Sequence, residues 1–167
     1  FNPKWELMFR SGLNLRQDQR ESRRPFDTAN FPRGYYKQQD VNFLESNTDA
    51  LLTFRESWDD RFTLSASLGG NIRKYDSKNN NAIARGLTLP GIYKLSNAMD
   101  VAVSEVTAIG GQVNSIYGFA NLGWDNKVFV DITGRNDWSS TLPSANRSYF
   151  YPSISTSYIL SEIFELP

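Results

Sequence analysis

The sequence has no cysteine and no histidine. The first absence excludes disulfides, thiol catalysis and Cys-ligated metal; the second excludes Ser-His-Asp triads and most zinc sites. Neither sign of charge is in excess: 18 Lys+Arg balance 18 Asp+Glu, so no basic surface points to nucleic acid. No apolar run approaches the ~20 residues of a transmembrane helix, and no signal-peptide pattern opens the chain at Phe1-Asn2-Pro3. Gly69-Gly70-Asn71-Ile72-Arg73-Lys74 lacks the spacing and the following helix of a phosphate loop. The adjacent Asp59 and Asp60 read as turn formers. No catalytic set, cofactor or metal site is expected, and the chain does not read as an enzyme.

Aromatic residues, in contrast, reach 14%, with 11 Phe, 8 Tyr and 4 Trp. The mean hydropathy of −0.49 is that of a soluble protein, but transmembrane barrels also look polar because their inward faces are wet.

Six segments alternate apolar and polar residues with the period of a β-strand. The first, Lys4 to Arg16, sets Trp5, Leu7, Phe9, Leu13 and Leu15 against Lys4, Glu6, Arg10, Asn14 and Arg16. A polar loop is expected from Gln17 to Gln39. The second strand, near Asp49 to Glu56, sets Ala50, Leu52 and Phe54 against Asp49, Thr53 and Arg55. After a turn at Ser57–Asp60, Phe62, Leu64, Ala66, Leu68 and Ile72 alternate with Thr63, Ser65, Ser67 and Asn71. Gly69-Gly70 marks a bulge or the close approach of another backbone. Tyr75 to Asp100 reads as a second long connection, and Asn114 to Trp124 as the fourth strand.

A short turn at Asp125-Asn126 leads to Val128, Val130 and Ile132 against Asp131, Thr133 and Arg135. The chain then reads Arg135-Asn-Asp-Trp-Ser-Ser-Thr-Leu-Pro143, expected to break into a loop because Asn136, Asp137, Ser139 and Ser140 can bond their own backbone. Tyr149-Phe-Tyr-Pro-Ser-Ile154 begins a sixth, aromatic-rich strand, with Phe150, Ile154 and Tyr158 on one face and Ser153, Ser155 and Ser157 on the other.

Long and short connections alternate, as bacterial outer-membrane barrels require, with short turns facing the periplasm and long loops facing outside. That rule sets Trp5, Trp58 and Trp124 at the periplasmic side, in one interfacial girdle. Glu56 has the parity of the apolar face, but it lies beside the turn, where a charge costs little. The alternation by itself also fits a soluble β-sandwich, such as an adhesin. The expected fold class is all-β: antiparallel amphipathic strands forming part of a large transmembrane β-barrel. Leu7, Phe9, Leu52, Phe54, Leu64, Leu68, Val130 and Ile132 are then expected to face lipid. Asp131 and Arg135 are expected to face the lumen, touching plug or solute, with Trp138, Tyr149 and Tyr151 as candidate substrate or rim aromatics. Six strands cannot close a barrel, since bacterial ones start at eight, so the chain reads as a segment of a larger protein.

The two motifs at 135–143 and 149–153 resemble a signature of the SusC/RagA-type TonB-dependent outer-membrane transporters, in which an RNDWSSTLP strand-and-loop precedes a YFYPS strand. Leu87-Thr-Leu-Pro-Gly-Ile-Tyr-Lys-Leu-Ser-Asn97 and Gly118-Phe-Ala-Asn-Leu-Gly-Trp124 look like further landmarks of that family. The resemblance implies a roughly 22-stranded barrel with a plugged lumen, of which residues 1–167 would be a middle-to-late part without the plug domain. It also implies import of large nutrients, oligosaccharides or peptides, with a SusD-like surface lipoprotein as lid. The TonB system would supply energy through parts outside this chain, and the remaining partners would be membrane lipid and the rest of the barrel. A structural or assembly role in an outer-membrane secretion or barrel-insertion complex is the alternative.

Overall fold

The structure, a computed structural model, describes residues 3–59 and 61–164. Six strands form one sheet in the order in which they occur in the chain: β1 (Trp5–Arg24), β2 (Tyr35–Trp58), β3 (Phe62–Ala84), β4 (Val103–Trp124), β5 (Val128–Ser139) and β6 (Ser148–Tyr158). The pairs β4/β5 and β5/β6 are antiparallel, with an unbroken register from Trp124↔Val128 to Val113↔Ser139 and from Val128↔Tyr158 to Trp138↔Ser148. Among the described residues no helix is long and apolar enough to cross a membrane. Asp60 and residues 165–167 lie outside the described residues.

Turn chemistry explains the short connections. Asp125 and Asn126 both take positive φ, 55° each, and the Lys127 N–H donates to the Trp124 carbonyl at 2.9 Å. This is the mirror-image turn whose twist suits a two-residue hairpin, and Asp and Asn tolerate it best after glycine. Asp59 adopts φ 51° in the other turn, where Arg61 N–H reaches the Trp58 carbonyl at 3.1 Å.

The strands differ in length from their expected form. Four of them span 20 to 24 residues. The expected loops at Gln17–Gln39 and Tyr75–Asp100 shrink to residues 25–34 and 85–102. Apolar alternation ends near Leu15 in β1, yet the ladder continues, because backbone pairing requires no apolar face. Polar cross-strand pairs such as Gln39 Nε2 to Asn79 Oδ1 at 3.0 Å serve instead. Similarly, Asn136, Asp137 and Ser139 stay in β5 and do not start the loop, which covers residues 140–147.

The chain divides into two compact units, and β1 to β4 contribute to both. The turn-end unit holds the residues up to Gly12, Ser46–Lys74 and those from Gly111 onward; the loop-end unit holds Leu13–Glu45 and Tyr75–Gly110. Among the described residues, the buried apolar side chains Tyr36, Ile83, Ala84 and Leu87 all belong to the loop-end unit. There Leu87 is fully buried beside Tyr36 and Ala84, with Phe26, Tyr93, Leu95 and Ala98 packed around. Asn97 locks the connection: its side chain donates to the Leu89 and Ile92 carbonyls, both at 2.8 Å, and accepts from the Leu89 N–H at 3.1 Å.

Candidate functional site

In the turn-end unit the usual order of inside and outside is inverted. The buried side chains are polar: Asp49, Thr53, Ser67 and Ser115, the last only 4% exposed. The exposed ones are large and apolar, including Leu7 at 74%, Phe9 at 70% and Ile154 at 70%. Strand parity separates the two sets. Across β4, β5 and β6 one face carries Leu122, Val130 and Thr156, then Ala120, Ile132 and Ile154; the other carries Asn121, Asp131 and Ser155, then Tyr117, Arg135 and Tyr151. A soluble sandwich requires the apolar face to be the buried one.

At the hairpin edge, Trp5, Trp58 and Trp124 are each about half exposed, and Tyr158 stands opposite Val128 at the same level. Trp5 packs on Phe54 with ring centroids 4.8 Å apart. Glu56, a carboxylate on the apolar parity, is ion-paired with Lys4. The pairing neutralises a charge that the alternation left unexplained.

The polar face is a connected network. Asp49, 6% exposed, accepts from the Tyr117 hydroxyl at 2.6 Å and from Arg10 Nη2 at 3.2 Å. Arg135 lies over the Tyr117 ring, 5.7 Å from its centroid, donating through Nη2 to Ser115 Oγ at 2.9 Å and through Nε to Asp137 Oδ1 at 2.7 Å. Thr53 and Ser67 share a buried hydrogen bond of 2.9 Å. A buried carboxyl group without partners would cost several kcal/mol, and Arg10 and Tyr117 supply the partners that Asp49 needs at that place. Two guanidinium groups and two carboxylates leave the set without net charge. It presents fixed hydrogen-bonding groups and no nucleophile activated by a base.

Glycine makes the network fit. A Cβ at Gly69 would lie 2.5–2.8 Å from Tyr117 Cζ, Cε2 and Oη. The close approach expected at Gly69-Gly70 is a tyrosine ring at Gly69, while at Gly70 the nearest neighbour of a Cβ would be the Ser115 backbone carbonyl at an ordinary 3.7 Å.

Of the candidates read from the sequence, Arg135 stands in this network. Asp131 stands apart from it, accepting from Asn121 Nδ2 at 2.7 Å. Tyr149 and Tyr151 share the polar face, opposite Asp137 and Arg135. Trp138 does not: its register with Asn114 and Ser148 puts it on the face of Val130 and Ile132, which removes it from the lumen candidates. Of the candidates for lipid contact, Leu7, Phe9, Leu52, Leu68 and Ile132 are exposed, and Phe54, Leu64 and Val130 are half-buried. Arg10, Asp49, Ser115 and Tyr117 were not singled out by sequence reasoning. Arg10 and Asp49 had the right parity, but Tyr117 and Phe119 blurred the faces of β4.

In the loop-end unit a smaller clasp forms. Glu21 accepts from Arg23 Nη2 at 2.5 Å and from the Tyr36 hydroxyl at 3.0 Å, while Arg23 lies 5.7 Å from the Tyr93 ring centroid. Hydrogen bonds from Arg23, then from Tyr36, hold the Glu21 carboxyl below its ordinary range. Burial, with donation to Glu21 second, raises the Tyr36 phenol.

No family model matches the chain. In sequence it is similar to TonB-dependent receptor P26 of Formosa agariphila, 26% identical over 127 residues that make up 73% of this chain and 13% of that receptor. In fold it is similar to the RagAB peptide transporter, with TM-score 0.85 and 20% identity over 97% of this chain and 19% of that one. The RagAB peptide importer in its closed-closed state matches equally, at TM-score 0.85 and 19% identity over 99% of this chain and 19% of the importer chain. This chain therefore spans less than a fifth of the length of these relatives. The all-β antiparallel fold of a barrel wall is borne out, and so is the likeness to SusC/RagA-type TonB-dependent transporters.

Proposed function

We propose that the chain is a wall segment of an outer-membrane TonB-dependent transporter that imports large nutrients, oligosaccharides or peptides. A SusD-like lipoprotein serves as lid, and the TonB system drives uptake through parts outside this chain. The observation that carries the proposal is the inverted burial of the turn-end unit. Around ten large apolar side chains on one face, each worth ~1.5–3 kcal/mol when fully buried, would forfeit on the order of 10–20 kcal/mol if that face stayed in water. Typical net stabilities are only about 5–15 kcal/mol. Lipid removes the deficit. In this reading the short turns face the periplasm and the connections 25–34 and 85–102 face outside.

The network on the other face lines the lumen. Arg135, Asp137, Tyr149 and Tyr151 form the part open to plug or solute, with Asp131 lower on the same wall; Arg10, Asp49 and Tyr117 hold Arg135 in place. The chemistry on offer is hydrogen bonding and charge, which suits passage of a polar solute and not its cleavage. In the full-length protein, Asp131→Ala combined with Arg135→Ala should lower uptake of the nutrient oligosaccharide or peptide while heat-modifiable barrel still accumulates in the outer membrane. Unchanged uptake, or loss of assembled barrel, would leave these residues with a structural role only.

A further inference from the structure

The apolar face of the turn-end unit ends at a sharp polar row. In β5 the outward series runs Val128, Val130, Ile132, Gly134 and then Asn136 and Trp138; in β4 it runs Trp124, Leu122, Ala120, Gly118, Ile116 and then Asn114 and Gln112. Asn136 Nδ2 donates across to Ser148 Oγ at 3.0 Å, continuing the row into β6. From Val128 to Trp138 the strand climbs ten residues, which at ~3.4 Å each and a tilt of ~40–45° is a height of about 25 Å. That is the height of the apolar band of such barrels, so Trp138 sits at the membrane boundary opposite the Trp5–Trp58–Trp124 edge.

A cavity of about 410 Å³ opens at this level, lined by Gln112, Asn114, Trp138, Ser139, Ser140 and Arg147. Its walls are fixed. Ser140 N–H donates to the Gln112 carbonyl and Gln112 N–H to Ser140 Oγ, both at 2.8 Å. Ser139 N–H donates to the Arg147 carbonyl at 3.0 Å. Gln112 Nε2 donates to Asn114 Oδ1 at 2.7 Å, which leaves the Asn114 amide N–H groups and the Ser140 hydroxyl proton as donors. The Arg147 guanidinium makes no ion pair among the described residues. A cation, two kinds of neutral donor and an indole, with no carboxylate among the lining residues, match a phosphate carried on an apolar anchor.

We propose that this pocket binds the phosphorylated headgroup of an outer-leaflet lipid: Arg147 pairs with the phosphate, Asn114 and Ser140 donate to it, and Trp138 lies at the boundary with the acyl chains. The inference rests on the barrel reading above and adds a site on its lipid side.

The test uses the full-length protein in nanodiscs containing either bisphosphorylated lipid A or a neutral galactolipid, with bound lipid counted by native mass spectrometry. Lipid A should be retained and the galactolipid not. Arg147→Ala should lower retention about tenfold, the usual effect of losing one charge-assisted hydrogen bond, and Arg147→Lys should recover part of it. A fluorophore attached at position 138 of the full-length protein through Trp138→Cys should be quenched by lipid that carries a nitroxide near its headgroup. Equal retention of the galactolipid, no effect of Arg147→Ala, or displacement by inorganic phosphate alone would overturn the proposal while leaving the barrel intact. Absence of quenching for the same fluorophore attached singly at positions 7, 68 and 132 would overturn the barrel reading, and this site with it.

Discussion

Alanine at position 69 would put a methyl carbon 2.5 Å from Tyr117 Cζ and 2.8 Å from its hydroxyl. The ring cannot keep its place at that separation and must move by about an ångström to reach ordinary contact. Its hydroxyl donates to Asp49 at 2.6 Å, and the Arg135 guanidinium rests on its face. A shift of that size breaks the first contact and loosens the second. Losing a hydrogen bond to a buried carboxylate costs ~1.5–3 kcal/mol, against which alanine recovers ~0.5–1 kcal/mol of the backbone entropy that glycine carries. The net expectation is a local loss of about 1–2 kcal/mol. Every ~1.4 kcal/mol is tenfold in an equilibrium constant, so backbone amides near Ser115–Phe119 and Ser67–Gly70 should exchange roughly tenfold faster in the detergent-solubilised full-length protein. Tyr117→Phe should reproduce much of that change. In a Tyr117→Ala background, Gly69→Ala should add nothing or stabilise. If Gly69→Ala exchanges as the parent does, or is equally harmful without the ring, Tyr117 is not what the glycine accommodates.

Three further outcomes follow from other parts of the structure. Leu68→Arg, a charge on the apolar face well away from both edges, should cost about 2–4 kcal/mol if that face meets lipid, and the yield of heat-modifiable barrel in the outer membrane should fall; Thr63→Arg on the polar face should assemble normally. Asn97→Ala removes three side-chain hydrogen bonds to the Leu89 and Ile92 backbone, at ~1 kcal/mol each; limited proteolysis should then cut within residues 85–102 while the strands stay resistant. The Glu21 carboxyl is held below its ordinary range by Arg23 and Tyr36, so the contribution of this clasp is present above the ordinary carboxylate pKa and is lost as pH falls through the lowered value. A spin label at Leu89 should gain mobility only under such acid conditions, and Glu21→Gln should abolish the acid-dependent step.

Parity was the part of this fold that the sequence carried most faithfully. In β5 and β6 a residue's place in the alternation fixes its face, because the register runs unbroken from Val128 to Ser139. Trp58 and Trp124 at the hairpin edge were legible for the same reason, standing beside turns written in Asp59 and in Asp125-Asn126. Strand ends were not legible. Residues 17–24 are polar throughout, and 35–45 and 75–84 carry apolar residues in runs too short and too interrupted by Lys, Gln, Asp and Asn to show a clear alternation, so nothing local separates a ladder in water from a loop. Trp138 was misplaced because Asn136 and Asp137 look like turn formers, and a strand thought to end at Arg135 assigns no face beyond it. The Asp49–Tyr117–Arg135 network joins β2, β4 and β5 over 68 and 18 residues of sequence. No local pattern encodes such contacts, and only the glycine beneath Tyr117 left a trace.

The central claim is that one face of this sheet meets lipid and the other meets water. Spin labels placed singly at positions 129 to 135 of β5 in the full-length protein, reconstituted in bilayers, test it by their collision rates with oxygen and with a water-soluble nickel complex. Oxygen access should peak at Val130 and Ile132, and nickel access at Asp131, Thr133 and Arg135, alternating residue by residue. Uniform nickel access along the strand, or the opposite phase, would contradict the account.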